Sequence, residues 1–479
     1  MPSTAISVIG LAVAVFVLVF LILRSKVHPL LAMIIAACIA GVTGGLSVTE
    51  TLNAITSGFG STLGTIGIII GLGVMMGRIL EVSGGAERIA YGCIQWLGKR
   101  REEWALAMTG YLVSIPIFAD SAFVILFPIA KALSRSGGRP LIMLGVALAG
   151  GLLVTHTIVP PTPGPLGVAG IYNIDVGLMI VSGMGMAIPC VLAFVWYAQW
   201  LGKRYQHTEP ALAKTEIITP AHPSRPLPSL SLSLTPIVVP ILLILLKAVV
   251  RVLPAEMLHR DGLLNWIITI IDFIGAPVIA LCISTLLAVY LLVPYLSRQE
   301  TAARLEEGLQ SAGIILMVTG AGGALGFVVR ESGTGAILAE HMSALPFSPI
   351  MIPFLVSTAI RLIQGSATVA MITAASITAP ILAEIPGVNM QIAAQAAVCG
   401  SFFFSYFNDS LFWVVNRLMN VTEVKWQLMS MSIPTTIAWA VAGTIIAIVN
   451  LIFGGGSWLD LLIPFAGIAA MAIVLRRHR

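Results

Sequence analysis

The sequence is short of charge. Only 10% of its 479 residues are Asp, Glu, Lys or Arg and 58% are hydrophobic, whereas soluble domains carry about a quarter charged residues. That balance leaves too little polar surface to face water and excludes an ordinary soluble globular fold. Paired cysteines are also missing. Cys38, Cys93, Cys190, Cys282 and Cys399 stand singly in apolar stretches, which excludes a disulfide framework or a cysteine metal site. There is no paired-histidine motif, and the glycine-rich stretches 67–77 and 320–326 lack the lysine and following Ser/Thr of a phosphate loop. They read instead as sites of close helix packing. No enzyme, cofactor, metal centre or nucleic-acid partner is therefore expected. The first apolar run, residues 5–23, has no basic segment before it and no small-residue cleavage site after it, so it reads as a retained span and not as a signal peptide.

What remains is apolar sequence in runs of spanning length, and roughly 20 residues suffice to cross a bilayer as a helix. Runs centre on residues 5–23, 30–46, 63–80, 104–133, 141–159, 176–201, 236–253, 263–292, 312–329, 350–382, 392–414, 429–453 and 459–475. Two of them, 104–133 and 350–382, are too long for one simple span and contain Asp120-Ser121 and Gln364-Gly365-Ser366. Each reads as a re-entrant hairpin, which is tolerated at membrane depth only where its tip lines a protein cavity. With both hairpins returning to the side they entered, Arg24/Lys26, Lys99/Arg100/Arg101, Lys131/Arg135/Arg139, Lys203/Arg204, Arg298/Arg304, Arg417/Lys425 and Arg476/Arg477/Arg479 share one face. The opposite face keeps only a few, such as Arg251, Arg260 and Arg330. By the positive-inside rule the rich face is cytoplasmic. The expectation is an all-α polytopic protein of the bacterial inner membrane, with about eleven spans and two hairpins, the N-terminus periplasmic and the C-terminus cytoplasmic.

The chain also repeats itself at an offset of about 245 to 250 residues, as transporter folds do. Gly71-Leu72-Gly73 through Gly85 echoes in Gly320-Ala321-Gly322-Gly323 through Gly333, Asp120-Ser121-Ala122 in Gly365-Ser366-Ala367, and Thr155-His156-Thr157 near Asn408-Asp409. An odd number of crossings per half inverts the second half. The expected division is a first repeat over 1–204, a proline-rich cytoplasmic linker over 205–234, and a second repeat with an extra final span over 235–479.

Four polar islands sit at matching places in the two halves: Phe118-Ala119-Asp120-Ser121; Arg361 through Gln364-Gly365-Ser366-Ala367-Thr368; Thr155-His156-Thr157 through Pro160-Pro161-Thr162-Pro163; and Ser405 through Asn408-Asp409-Ser410. Prolines at 160, 161 and 163 must break their helix, because each removes a backbone donor and clashes with the preceding turn. Broken helices and hairpin tips present free N–H groups and hydroxyls that suit a carboxylate. The expected substrate-binding set is Asp120, Ser121, Thr155, His156, Thr157, Thr162, Arg361, Gln364, Gly365, Ser366, Thr368, Asn408 and Asp409, with Asp120, Asp409 and His156 as the groups able to carry a proton. Plainer readings stand beside these. The aspartates can cap half-helices, His156 can be a neutral structural partner, Arg361 can pair with an acid or reach for the surface, and hydroxyls in membrane helices often bond their own backbone.

On these residues the sequence resembles the gluconate permease family of proton symporters. The likeness is carried by Gly58-Phe59-Gly60-Ser61-Thr62-Leu63-Gly64, Gly71-Leu72-Gly73-Val74-Met75-Met76-Gly77, Phe118-Ala119-Asp120-Ser121, Thr155-His156-Thr157 with Pro160-Pro161-Thr162-Pro163-Gly164-Pro165, Gln364-Gly365-Ser366-Ala367-Thr368 and Asn408-Asp409-Ser410. The resemblance implies uptake of gluconate or a related sugar acid with protons, on an inverted-repeat fold, by a homodimer working as an elevator. Some relatives carry D-serine, and nothing in the residues separates the two substrates. A channel and a sodium-coupled carrier are the other readings that the polar islands allow.

Overall fold

The computed structural model describes residues 4–25, 27–98, 100–206, 227–252, 263–292, 298–343 and 345–477. Most of the proline-rich linker, residues 207–226, lies outside the described residues, as do Lys26, Lys99, Arg260 and Arg479. The described chain is helical throughout and contains no strand. Among the described residues six helices are long and apolar enough to cross a bilayer, and a seventh crossing is made if the bent pair Trp266–Ile274 and Pro277–Leu292 counts as one. The sequence reads this pair as one apolar run centred on 263–292. It bends by 70° at Gly275-Ala276, because the pyrrolidine of Pro277 starts a new helix and cannot continue the old one. Other apolar helices, among them Pro29–Thr43, Met351–Gln364 and Ala367–Leu382, are shorter.

One sequence of elements occurs twice. A long helix, Val48–Val82, is followed by a short one, Gly85–Leu97, a hairpin of Glu102–Val113 and Ala119–Gly137, a broken helix of Leu141–Ile158 and Pro163–Tyr172, and a closing helix Val176–Gln206. The order returns with Arg298–Glu331, Thr334–Ser343, the hairpin Met351–Gln364 and Ala367–Leu382, the broken helix Met390–Gly400 and Ser410–Leu418, and a closing run through Ile433–Phe453. The first long helix starts from a reciprocal cap, in which Glu50 N–H donates to the Ser47 hydroxyl at 3.2 Å and Ser47 N–H donates to the Glu50 carboxylate at 2.8 Å. This satisfies two of the donors that a helix start leaves open.

The two long helices pack directly on each other. A Cβ on Gly58 would meet Phe327 and the Gly323 carbonyl, whereas a Cβ on Gly308 would meet Val74 and Arg78. The start of the first helix therefore lies beside the end of the second, and the pair runs antiparallel, as equivalent elements of inverted halves must.

The tip of the first hairpin is pressed into the first long helix at Gly77, where a Cβ would stand 1.9 Å from the Pro116 carbonyl oxygen, while a Cβ on Gly64 would meet nothing within 4 Å. Gly77→Ala is accordingly expected to cost about 1–3 kcal/mol by forcing two backbones apart. Gly64→Ala should be neutral or stabilising by up to ~1 kcal/mol. Thermal unfolding of the two variants in detergent checks the pair, and equal midpoints would refute the contact.

Candidate functional site

The site is assembled by three consecutive residues in the second broken helix. Asn408 donates through Nδ2 to the carbonyl of Leu362 at 3.3 Å, and Asp409 accepts from Arg361 Nη2 at 2.5 Å. Ser410 donates through its hydroxyl to Asp120 at 2.7 Å. Asn408 and Asp409 thus hold the second hairpin and Ser410 holds the first. Residues more than 200 positions apart in the sequence meet because the break at 401–409 lies between the two tips.

Each part has a local cause. In the second hairpin the helix Met351–Gln364 ends at Gly365, whose φ of +88° is closed to most side chains and where a Cβ would stand only 2.2 Å from the Asn408 carbonyl oxygen. Ser366 then caps the returning helix, its hydroxyl accepting from Val369 N–H at 3.4 Å. Asp409 caps Ser410–Leu418 through Leu411 N–H at 3.1 Å and takes a further hydrogen bond from the Ser405 hydroxyl at 2.5 Å. Tyr406 anchors the same break by donating to the Leu362 carbonyl at 2.5 Å. The first broken helix is interrupted differently, by Pro160, Pro161 and Pro163, with the Thr162 hydroxyl turned back onto the Val159 carbonyl at 2.7 Å.

The electrostatics of the two aspartates differ. Asp409 and Arg361 form a buried ion pair, their side chains 10% and 3% exposed, and a charge so buried is tolerable only when paired and hydrogen-bonded. Asp120 has no basic partner among the described residues, and its described contact is the hydroxyl of Ser410. Among the described residues, Arg361 Nε has no hydrogen-bond partner, and neither do Gln364 Oε1, His156 Nδ1 or the hydroxyls of Thr155 and Thr157.

Most of the expected residues are brought together. Gly365 abuts Asn408, Arg361 is joined to Asp409, Asp120 reaches the same break through Ser410, and Gln364 and Ser366 flank Gly365. His156 packs its ring on Phe118 of the first tip, with centroids 5.5 Å apart. Thr368 approaches the start of Pro163–Tyr172, within 3.5 Å of where a Cβ on Gly164 would be. Thr155 and Thr157 are buried, and no hydrogen bond ties them to the others.

Ser121 faces elsewhere, into a cavity of about 260 Å³ that it shares with Pro116, Ile117 and Phe118 of the tip, Gly77, Arg78 and Glu81 of the first long helix, and Glu307 and Gly308 of the second. Arg78, Glu81 and Glu307 were not among the residues expected. Arg78 does interrupt an apolar run in the sequence, but nothing there says that it meets Glu307, which lies 229 residues away.

A helical bundle of bilayer-spanning length, with two hairpins meeting at a pair of broken helices, defines a polytopic membrane transporter. The sequence matches the GntP family permease over residues 6–452, and the chain belongs to that family. It is 58% identical to an uncharacterized permease of Haemophilus influenzae, with 98% of each chain covered. It is 34% identical to the gluconate permease of Pseudomonas aeruginosa, covering 95% of this chain and 98% of that one. Identity to the D-serine transporter DsdX of Escherichia coli K12 is 31%, over 86% and 91% of the two chains. Among solved structures, the YdaH transporter of Alcanivorax borkumensis shares the fold with a TM-score of 0.59 at 17% identity, over 86% of this chain and 91% of that one. The family and these relatives are transporters, not enzymes.

Proposed function

We propose that this permease is a secondary active transporter that takes up gluconate or a related sugar acid together with protons. The observation that carries the proposal is the junction at Asn408-Asp409-Ser410, where one broken helix touches both hairpin tips. A ligand that inserts there alters the contacts of both halves at once, as alternating access requires. The unpartnered groups nearby, Gln364 Oε1, His156 Nδ1 and Arg361 Nε, are the kind of buried polar atoms that a polyhydroxylated acid would satisfy.

Coupling falls to Asp120. Arginine keeps its charge at every accessible pH, so protonating Asp409 would strand a buried guanidinium, whereas protonating Asp120 strands nothing. Asp409 then serves to compensate Arg361. The halves 1–204 and 235–479 move their hairpins and broken helices against the long helices as an elevator, in a homodimer of the bacterial inner membrane with the N-terminus periplasmic and the C-terminus cytoplasmic. D-serine is the alternative substrate, supported by the likeness to DsdX.

Counterflow in proteoliposomes tests this reading. Labelled gluconate is expected to be driven inward by unlabelled gluconate inside, with L-idonate and D-serine as competing probes. Flux without trans-stimulation would identify a channel, and accumulation that follows Na⁺ at fixed pH would replace the proton by sodium. In the same liposomes, a cysteine at Ser366 should change its labelling when gluconate is added. Unchanged labelling from both sides would rule out movement of the tip, and a monomer mass in detergent would rule out the dimer.

A further inference from the structure

A carboxylate taken out of water needs a charge or several oriented donors in its place, and this chain places two arginines beside the hairpin tips. Arg361 is 3% exposed and already bonded to Asp409. A cavity of about 20 Å³ touches Gln364, with Leu18, Val19, Ile22, Ile360, Ile363 and Thr373, and Arg361 does not line it. Arg78 is 27% exposed and borders the cavity of about 260 Å³ that also holds Ser121. Resting on the reading above, we infer that Arg78 is the group that receives the substrate's carboxylate, in the cavity between the first hairpin tip and the two long helices.

The charges around Arg78 set how this works. Arg78 donates through Nη1 to Glu81 and through Nη2 to Glu307, each at 2.7 Å, and Arg304 donates to Glu307 at 2.7 Å. Two guanidinium groups face two carboxylates, so the cluster is neutral and an arriving anion cannot simply add to a bare cation. It exchanges instead. The substrate carboxylate takes the Nη2 side of Arg78 while Glu307 keeps Arg304, and Ser121 across the cavity is left to bond a substrate hydroxyl. Arg78 and Glu81 come from the first half of the chain and Glu307 from the second, so the exchange loosens a contact between halves each time substrate binds. Guanidinium suits the role because its planar fork holds a carboxylate through two parallel bonds.

Opposite signs distinguish this role from a structural one. Arg78→Gln removes the anion's partner and is expected to raise the half-saturation constant for D-gluconate about tenfold to a hundredfold, the range of a charge-assisted hydrogen bond. Glu307→Gln removes the competitor and is expected to lower it several-fold. Arg78→Lys keeps the charge without the fork and should fall between wild type and Arg78→Gln, which preserves the test where Arg78→Gln does not fold. The readout is initial counterflow rate against D-gluconate concentration in proteoliposomes. If Arg78→Gln and Glu307→Gln shift the constant in the same direction, or neither shifts it, Arg78 is only part of a structural ion-pair cluster. If wild type itself gives no saturable flux of gluconate, L-idonate or D-serine, the transport reading falls, and the role of Arg78 with it.

Discussion

Asp409→Asn is expected to be the most damaging single substitution in the molecule, costing about 3–5 kcal/mol of stability, and Arg361→Gln is expected to be milder. Removing one member of a buried ion pair leaves the other uncompensated, which is the expensive case. The two members are not equivalent, however. Without Arg361, the Asp409 carboxyl can take up a proton and keep its hydrogen bonds from Ser405 and Leu411 N–H. Without Asp409, the guanidinium cannot lose its charge, and its Nε already has no acceptor. The double variant Arg361→Gln with Asp409→Asn removes both charges and should recover much of the loss, since a neutral pair of similar size often replaces a buried ion pair at little cost. Folded yield and thermal midpoints in detergent, combined as a double-mutant cycle, measure this. Additive losses would mean that the 2.5 Å contact contributes nothing to the folded state.

Asp120→Asn is expected to leave folding intact and abolish concentration of substrate by a pH gradient. Among the described residues its side chain bonds a neutral hydroxyl, that of Ser410, and asparagine can accept the same bond. A monovalent acid that enters with one proton moves no net charge, so membrane voltage, worth ~2.3 kcal/mol per charge per 100 mV, contributes nothing and the pH gradient alone drives uptake. One pH unit is worth about 1.36 kcal/mol, so wild type should concentrate substrate about tenfold per unit, whereas the variant should only equilibrate it. Counterflow should survive, because exchange of substrate for substrate need not move protons. Should Asp120→Asn still accumulate about tenfold per unit, the proton travels on another group, His156 or Asp409.

The sequence by itself determined that this is a membrane protein of helices, because a chain with 10% charged residues and continuous apolar runs of spanning length buries its backbone polar groups by bonding them within each helix, whereas a membrane barrel alternates apolar and polar residues. It also marked the hairpin tips and the two breaks, since polar residues and prolines in apolar runs are costly enough to be informative singly. Periodic similarity placed Asp120 opposite Gly365 and Thr155 near Asn408 as counterparts. The tertiary structure decided who touches whom. Whether Arg361 faces a substrate or Asp409, and whether Asp120 has a counter-ion, are questions of distance between segments that no local pattern encodes. The kink before Pro277 and the meeting of Arg78 with Glu307 likewise depend on how the long helices cross. Asp120 and Asp409 look alike in the sequence, each an acid at the start of a half-helix. Packing gave one a buried guanidinium and the other a hydroxyl, and in a low-dielectric interior that difference in neighbours is what the proposed coupling through Asp120 rests on.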